Sequence, residues 1–319
     1  MPSMASPSAN VEVELEGRRL KLSNLDKVLY PESGFTKGQV IDYYVRVSSA
    51  LLPHLNRRPL TLKRYPNGVD AGFFYEKQCP SHRPDWVRTV SIPSERTTGK
   101  EVNYCTADDL PTLAWLANLA AIELHPLLAR ADGATGGSSR DAVNQPTTVA
   151  FDLDPGPPAD VATCAQVACW LREVLDELGL AAFPKTSGSK GLQVYVPLNT
   201  PHAYDDTKPF AHAIARLLEK HHPDHALEKM DKSLRRGKVL IDWSQNHITK
   251  TTICAYSLRA RPAPTVSTPI SWEEVERGRE ADGAQRLHFE ANEVLERLDR
   301  SGDLFAPVLD LEQRLPRIG

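Results

Sequence analysis

No apolar run in this 319-residue chain approaches the roughly 18 residues that a membrane-spanning helix needs, and no secretory-type apolar segment is apparent. The expectation is therefore a soluble cytoplasmic protein. Cysteine is scarce and badly spaced for ligand work. Cys79, Cys105, Cys164, Cys169 and Cys254 contain no Cys-x-x-Cys pair, and their odd count argues against a disulfide framework. Cys164 and Cys169 fall in an apolar helical run and read as core. An excess of positive charge is also missing: 38 Lys and Arg stand against 41 Asp and Glu, a formal net charge of −3. Global basicity thus does not mark a nucleic-acid binder. The charge is uneven, however. Arg57, Arg58, Lys63 and Arg64 have no acid between them, nor do Lys232, Arg235, Arg236 and Lys238, whereas acids gather from Glu273 to Glu296. That polarised surface is compatible with DNA contact. His212, His221, His222 and His225 crowd a helix end with irregular spacing that suits a solvated surface better than zinc.

Against these absences stands Phe151-Asp152-Leu153-Asp154-Pro155-Gly156, an apolar strand that ends in two carboxylates and a turn. Side chains alternate along a strand, so Asp152 and Asp154 share a face, roughly 6.5–7 Å apart at Cα. Paired hard oxygens of this kind suit Mg²⁺ or Mn²⁺. The segment from Phe183 to Leu198 reads as strand, Ser187-Gly188-Ser189-Lys190-Gly191 turn, strand. Its hydroxyls, flexible amides and Lys190 ammonium have the makings of a phosphate cradle. Val239-Leu240-Ile241-Asp242 is a third apolar strand ending in an acid. Carboxylates on two strands beside a phosphate-binding turn are the equipment of two-metal phosphoryl or nucleotidyl transfer.

Elsewhere, Val11–Leu22 alternates as a hairpin around Glu16-Gly17, and residues 1–10 form a small, polar leader expected to be disordered. Thr36 caps a helix in capping-box spacing with Gln39. Lys37, in the first turn, joins Asn24 and Lys27 near free amide donors, an arrangement suited to an anion. Leu60–Arg64 is a short basic strand. Phe73 and Phe74 follow a Pro-Asn-Gly turn; as neighbours they should split, one into the core and one outward to stack on a base beside Lys63 and Arg64. A helix from Asp109 to Leu119 precedes a strand ending in His125. Residues 133–145, with a Gly-Gly-Ser-Ser run, make the best internal boundary. After it come helices over about 160–178, 209–220 and 284–298, and a shorter one capped by Ser271 with Glu274. The β-α-β-β-α-β order of the second part is that of a split-βαβ palm.

FDLDPGP, SGSKGLQVYVPL, VLIDWSQN and YSLRARPAPTVSTPISWEEV resemble, in content and order, the primase-polymerase domain of bacterial DNA ligase D, within the archaeo-eukaryotic primase superfamily. The resemblance runs from about Val13 to Glu274. It implies an α+β primase-polymerase fold, with an RRM-like split-βαβ palm packed against an N-terminal α/β unit. The implied division is a leader (1–10), an N-terminal part bearing a DNA 5′-phosphate pocket (11–140), and a catalytic palm with C-terminal helices (141–319), together one catalytic module. Asp152, Asp154 and Asp242 are the implied metal-binding catalytic residues, with two ions, Mn²⁺ or Mg²⁺. His125, Ser187, Lys190 and Arg259 are implied to bind the nucleoside triphosphate. Asn24, Lys27 and Lys37 take the 5′-phosphate role, and Lys63, Arg64, Phe73 and Phe74 the template. The implied activity extends 3′-hydroxyl ends and fills gaps in non-homologous end joining, with ribonucleotides preferred. The implied partners are DNA ends, an ATP-dependent ligase and Ku, and nucleoid association follows.

Two alternatives share the resemblance: a primase that starts chains from two nucleotides, and a non-catalytic module that bridges DNA ends. A haloacid dehalogenase-type phosphatase also ends a strand in Asp-x-Asp, but it wants Thr or Val where Gly156 stands. The ligase nucleophile motif Lys-x-Asp-Gly is not met by Lys229-Met230-Asp231-Lys232. The expectation is thus a stand-alone paralogue or an excised domain that borrows a ligase.

Overall fold

The computed structural model describes residues 10–94, 100–131, 143–280 and 283–316. Most of the leader and most of the 133–145 connection lie outside these residues, as does the boundary drawn at 140/141. The N-terminal part opens with the expected hairpin, β1 (Val11–Leu15) and β2 (Arg18–Leu22), turned through Glu16 and Gly17 at positive φ. The small ladder β3 (Val28–Tyr30) with β4 (Phe35–Thr36) leads into α1 (Lys37–Leu55). Thr36 and Gln39 form the reciprocal capping box that their spacing foretold. The buried face of α1 carries Val40, Tyr44, Val47 and Leu51.

A second sheet follows, from β5 (Leu60–Arg64), β6 (Phe74–Glu76), β7 (Thr89–Pro93) and β8 (Glu101–Cys105), with α2 (Leu110–Asn118) leading to β9 (Ala121–Pro126). β5 lies between β6 and β9. Contrary to the expectation from cysteine count, Cys79 and Cys105 are joined as a disulfide. They are 26 residues apart and meet only because Cys79 docks through its backbone on Asn103 beside the end of β8. Cys164, Cys169 and Cys254 are free and buried.

The palm is built from β10 (Thr148–Pro155), α3 (Val161–Glu177), β11 (Phe183–Thr186), β12 (Leu192–Pro197), α4 (Tyr204–His221), β13 (Ala226–Leu227) and β14 (Val239–Asp242). The spatial order is β11-β12-β10-β14-β13, so the first four strands give the antiparallel arrangement of a split βαβ unit, with β13 added parallel at the edge. β10 is central and apolar on its buried face, from Val149 through Phe151 and Leu153. α4 begins five residues before the expected Pro209, which sits inside the helix; Asp206 reaches back to the Ala203 amide and stabilises the earlier start. Near the C-terminus, α5 (Trp272–Arg277) has the Ser271–Glu274 capping box. The expected 284–298 helix resolves into a 3₁₀ turn and then α6 (Ala291–Ser301), followed by α7 (Pro307–Asp310). One apolar cluster runs through both sheets and α6.

The turn between β11 and β12 demands glycine. Gly188 has φ +65°, and a Cβ there would stand 2.6 Å from the Val266 carbonyl carbon. Gly179, after α3, has φ +70° with open space around it. Gly179→Ala should therefore cost only the left-handed conformation, about 1–2 kcal/mol. Gly188→Ala adds an overlap with main chain, for a total of about 3 kcal/mol or more. Urea denaturation of the two variants separates these contributions, and equal losses would contradict the packing described.

Candidate active site

Adjacent central strands bring two of the acids together. Asp152 on β10 is directly opposite Asp242 on β14, and Asp154 shares the face two residues on. Like charges opposite one another across a ladder repel. Burial is the larger effect, and with Asp242 beside it the Asp152 carboxyl is raised to about 6. The three acids are not drawn into one ligand shell. Asp154 is half-exposed and pairs with Arg235 at 3.3 Å. Asp242 turns both oxygens into its own 3₁₀ turn, accepting from the Ser244 amide and hydroxyl and from Gln245 Nε2. Among the described residues no three His, Cys, Asp or Glu side chains form a ready metal cluster. The donor set nevertheless fits a hard divalent cation: carboxylate oxygens on neighbouring strands whose mutual repulsion a cation would relieve. Asn246, fully buried, braces β10 from below by accepting from the Ala150 amide and donating to its carbonyl.

The glycine-serine turn departs from its expected form. Ser187 Oγ accepts from the Ser189 and Gly191 amides, so these two donors close the turn instead of standing open for phosphate. Lys190 is exposed at its tip. An open cleft of about 410 Å³ borders the turn at Thr186, Gly188, Ser189 and Gly191. The stem of Arg259 packs against Gly188, which places the arginine beside this turn.

A residue that the sequence reading passed over organises the remaining cations. Glu123 is buried on β9 and lies 2.9 Å from His125 Nε2, 3.6 Å from Lys63 Nζ and 3.6 Å from Arg259 Nε. It also accepts from the Ala260 amide. Burial opposes its ionisation, but the His125 hydrogen bond and the charges of Arg259 and Lys63 outweigh that and hold the carboxyl at about 2. Burial in turn lowers the His125 pKa, more than Glu123 restores it, so the imidazole is neutral near pH 7. A signal was present: Glu123 and His125 are two apart on one strand and therefore share a face.

Phe73, Phe74 and Tyr75 do not divide between core and solvent as expected; all three are exposed. β6 is the edge strand of its sheet, and among the described residues none packs over these rings closely enough to bury them. Lys63 points inward, its ammonium 4.2 Å from the Phe73 ring centre and also near the Tyr65 and Tyr75 rings. Arg64 is fixed by Glu76 at 2.8 Å and lies over Phe74. Arg58 is not a surface cation either. It is buried and donates to the Leu127 and Leu128 carbonyls and to Thr147.

At the start of α1, Lys37 is buried and donates to the Ser23 carbonyl. Burial, joined by the nearby charges of Lys27 and Arg64, lowers its pKa to about 8. Three cations thus crowd together next to a helix N-terminus, with Asn24 alongside in a left-handed turn. An anion would relieve that repulsion. The histidines near α4 are less idle than expected: His212 stacks on Trp243 and bonds Glu228, and His222 stacks on Trp170.

The family model described as the LigD primase-polymerase domain matches residues 36–305. The chain belongs to this family. A multifunctional non-homologous end joining protein LigD of Mycolicibacterium smegmatis is 42% identical over 291 residues, 91% of this chain and 36% of that protein. A bifunctional non-homologous end joining protein LigD of Bacillus subtilis is 31% identical over 287 residues, 89% of this chain and 43% of that one. The chain thus spans about a third to two-fifths of the length of these relatives. The solved polymerase domain of Mycobacterium tuberculosis ligase D, in complex with DNA, superposes with a TM-score of 0.85 at 40% identity, covering 92% of this chain and 99% of that one. The mixed α/β architecture is accordingly that of the LigD primase-polymerase fold. Among the described residues, no helix is long and apolar enough to cross a membrane.

The Glu123 hub has a testable pH signature. A carboxyl whose folded pKa is depressed contributes stability that is fully present above its ordinary value and lost as pH falls through the folded one. From 4.5 to about 2, that contribution is on the order of 3 kcal/mol. The advantage of wild type over Glu123→Gln in urea should be full above pH 5 and shrink steadily below 4.5. A pH-independent difference would show that Glu123 does not hold these cations.

Proposed function

We propose that the chain is a DNA-dependent nucleotidyltransferase that extends 3′-hydroxyl ends and fills gaps during double-strand break repair by non-homologous end joining, with ribonucleotides preferred. The observation that carries this reading is the Asp152–Asp242 pair across the two central strands, with Asp154 on the same face. These three carboxylates would hold two divalent ions, Mn²⁺ in preference to Mg²⁺, which when bound neutralise triphosphate charge and lower the pKa of the attacking hydroxyl.

The protein's own groups do the positioning. Arg259, His125, Ser187 and Lys190 approach the triphosphate from two sides, with Glu123 fixing the first two. Lys27, Lys37 and Asn24 would take the 5′-phosphate across the gap, and so set the distance from the downstream strand to the 3′-end. Phe73, Phe74 and Tyr75 offer stacking surfaces for template bases, supported by Lys63 and Arg64. The DNA-bound M. tuberculosis domain and the end-joining names of the relatives support this reading. Partnership with an ATP-dependent ligase and with Ku belongs to the same proposal.

Extension of gapped DNA with Mn²⁺ and ribonucleotides tests it. Asp152→Ala removes several kcal/mol of charge stabilisation, so extension should fall by at least about 100-fold. Lys27→Ala, at an exposed position, loses a charge-assisted contact of about 1.5–3 kcal/mol. It should slow use of 5′-phosphorylated gaps by about 10–100-fold while sparing unphosphorylated ones. No extension by wild type, with DNA binding intact, would defeat the polymerase reading and leave an end-bridging module.

A further inference from the structure

Four polar side chains form a row across the palm sheet. Lys185 on β11 is opposite Gln193 on β12, Gln193 is opposite Asp152 on β10, and Asp152 is opposite Asp242 on β14. Directly opposed residues of antiparallel strands project from the same face, so the row is continuous. Lys185 is completely buried and Gln193 nearly so, in a sheet whose buried positions are mostly apolar. Such burial of a lysine is costly unless every proton is used.

Every proton is used. An ammonium has three donors and no acceptor. Lys185 Nζ donates to Gln193 Oε1 at 2.5 Å, to Ser267 Oγ at 2.7 Å and to the Ile253 carbonyl at 3.0 Å. Ser267 passes its own proton to the Thr186 carbonyl, so its oxygen can only accept from the lysine. The Gln193 amide is therefore fixed: its oxygen faces a pure donor and its NH₂ faces the other way. On that side, directly opposite in the strand register, stands Asp152, within reach of the amide donor.

We propose that Lys185 and Gln193 are positioning residues for the metal site, acting as a one-way relay that holds one oxygen of Asp152 and leaves the other directed at the cation. Neither touches substrate. Lys185 forces the amide to present its donor to Asp152; without the lysine, the amide is free to turn and set its oxygen against the carboxylate. Groups that orient a metal ligand from behind in this way are typically worth about 10–100-fold in metal affinity. The inference rests on the reading of Asp152 as a metal ligand.

Binding of Mn²⁺ alone, followed by the electron paramagnetic resonance signal of the free ion, tests both levels. The proteins compared are wild type, Asp152→Asn, Gln193→Met and Lys185→Met, with thermal melting and binding of 5′-phosphorylated DNA as checks on the fold. We expect Gln193→Met to weaken Mn²⁺ by about 10–100-fold with DNA binding retained. In extension assays, the Mn²⁺ concentration for half-maximal rate should rise more than the maximal rate falls. Combining Gln193→Met with Lys185→Met should cost little more than either alone, because the two act in series. If Asp152→Asn weakens Mn²⁺ but Gln193→Met does not, the relay is overturned and the metal reading stands. Unchanged Mn²⁺ binding in Asp152→Asn overturns the metal reading itself. Should Lys185→Met fail to fold, with three buried acceptors left unpaired, Gln193→Met decides the matter by itself.

Discussion

Two carboxylates facing each other across the central strands of a sheet repel, and burial makes the repulsion worse. The architecture around Asp152 and Asp242 follows from managing that cost. Asp242 is held by its own turn through Ser244 and Gln245, Asp154 is paired with Arg235, and Asp152 is backed by Gln193 and Lys185. A hydrophobic sheet gains nothing in stability from such a row. Under the proposed function the arrangement is a site kept ready for positive charge, in which strand pairing would supply the rigidity and the acids the affinity.

The opposite problem arises locally in the N-terminal part, where cations crowd at two places. Glu123 holds His125, Lys63 and Arg259 in fixed positions, and Lys27, Lys37 and Arg64 gather at the start of α1. The net charge of −3 conceals both concentrations. On the proposed function, a polyanion with a triphosphate beside it would be met by local fields, each built around one buried group. This is why whole-chain charge says so little about DNA contact.

Local chemistry made much of this visible in advance. The Thr36–Gln39 and Ser271–Glu274 capping boxes, the Glu16-Gly17 hairpin and the Asp-x-Asp strand each rest on contacts within a few residues, and each was legible. Where a partner is distant in sequence, the reading failed. Cys79 met Cys105 through a docked loop, Arg58 went inward to the Leu127 and Leu128 carbonyls, and Phe73 and Phe74 both stayed outside, at the β6 edge of the sheet. Ser187 was expected in a phosphate cradle, but its hydroxyl closes the turn amides that were expected to stay open.

The sequence by itself determined the order of elements, the family resemblance and the three acids at strand ends, because periodicity, caps and motif spacing are properties of neighbouring residues. Only the tertiary structure decided which acid faces which, that Glu123 gathers Lys63, Arg259 and the His125 imidazole, and that Lys185, Gln193 and Asp152 stand in one row. Those facts depend on strand register and order. Pairing β11, β12, β10 and β14 side by side turns four positions scattered over 91 residues of chain into one row on one face.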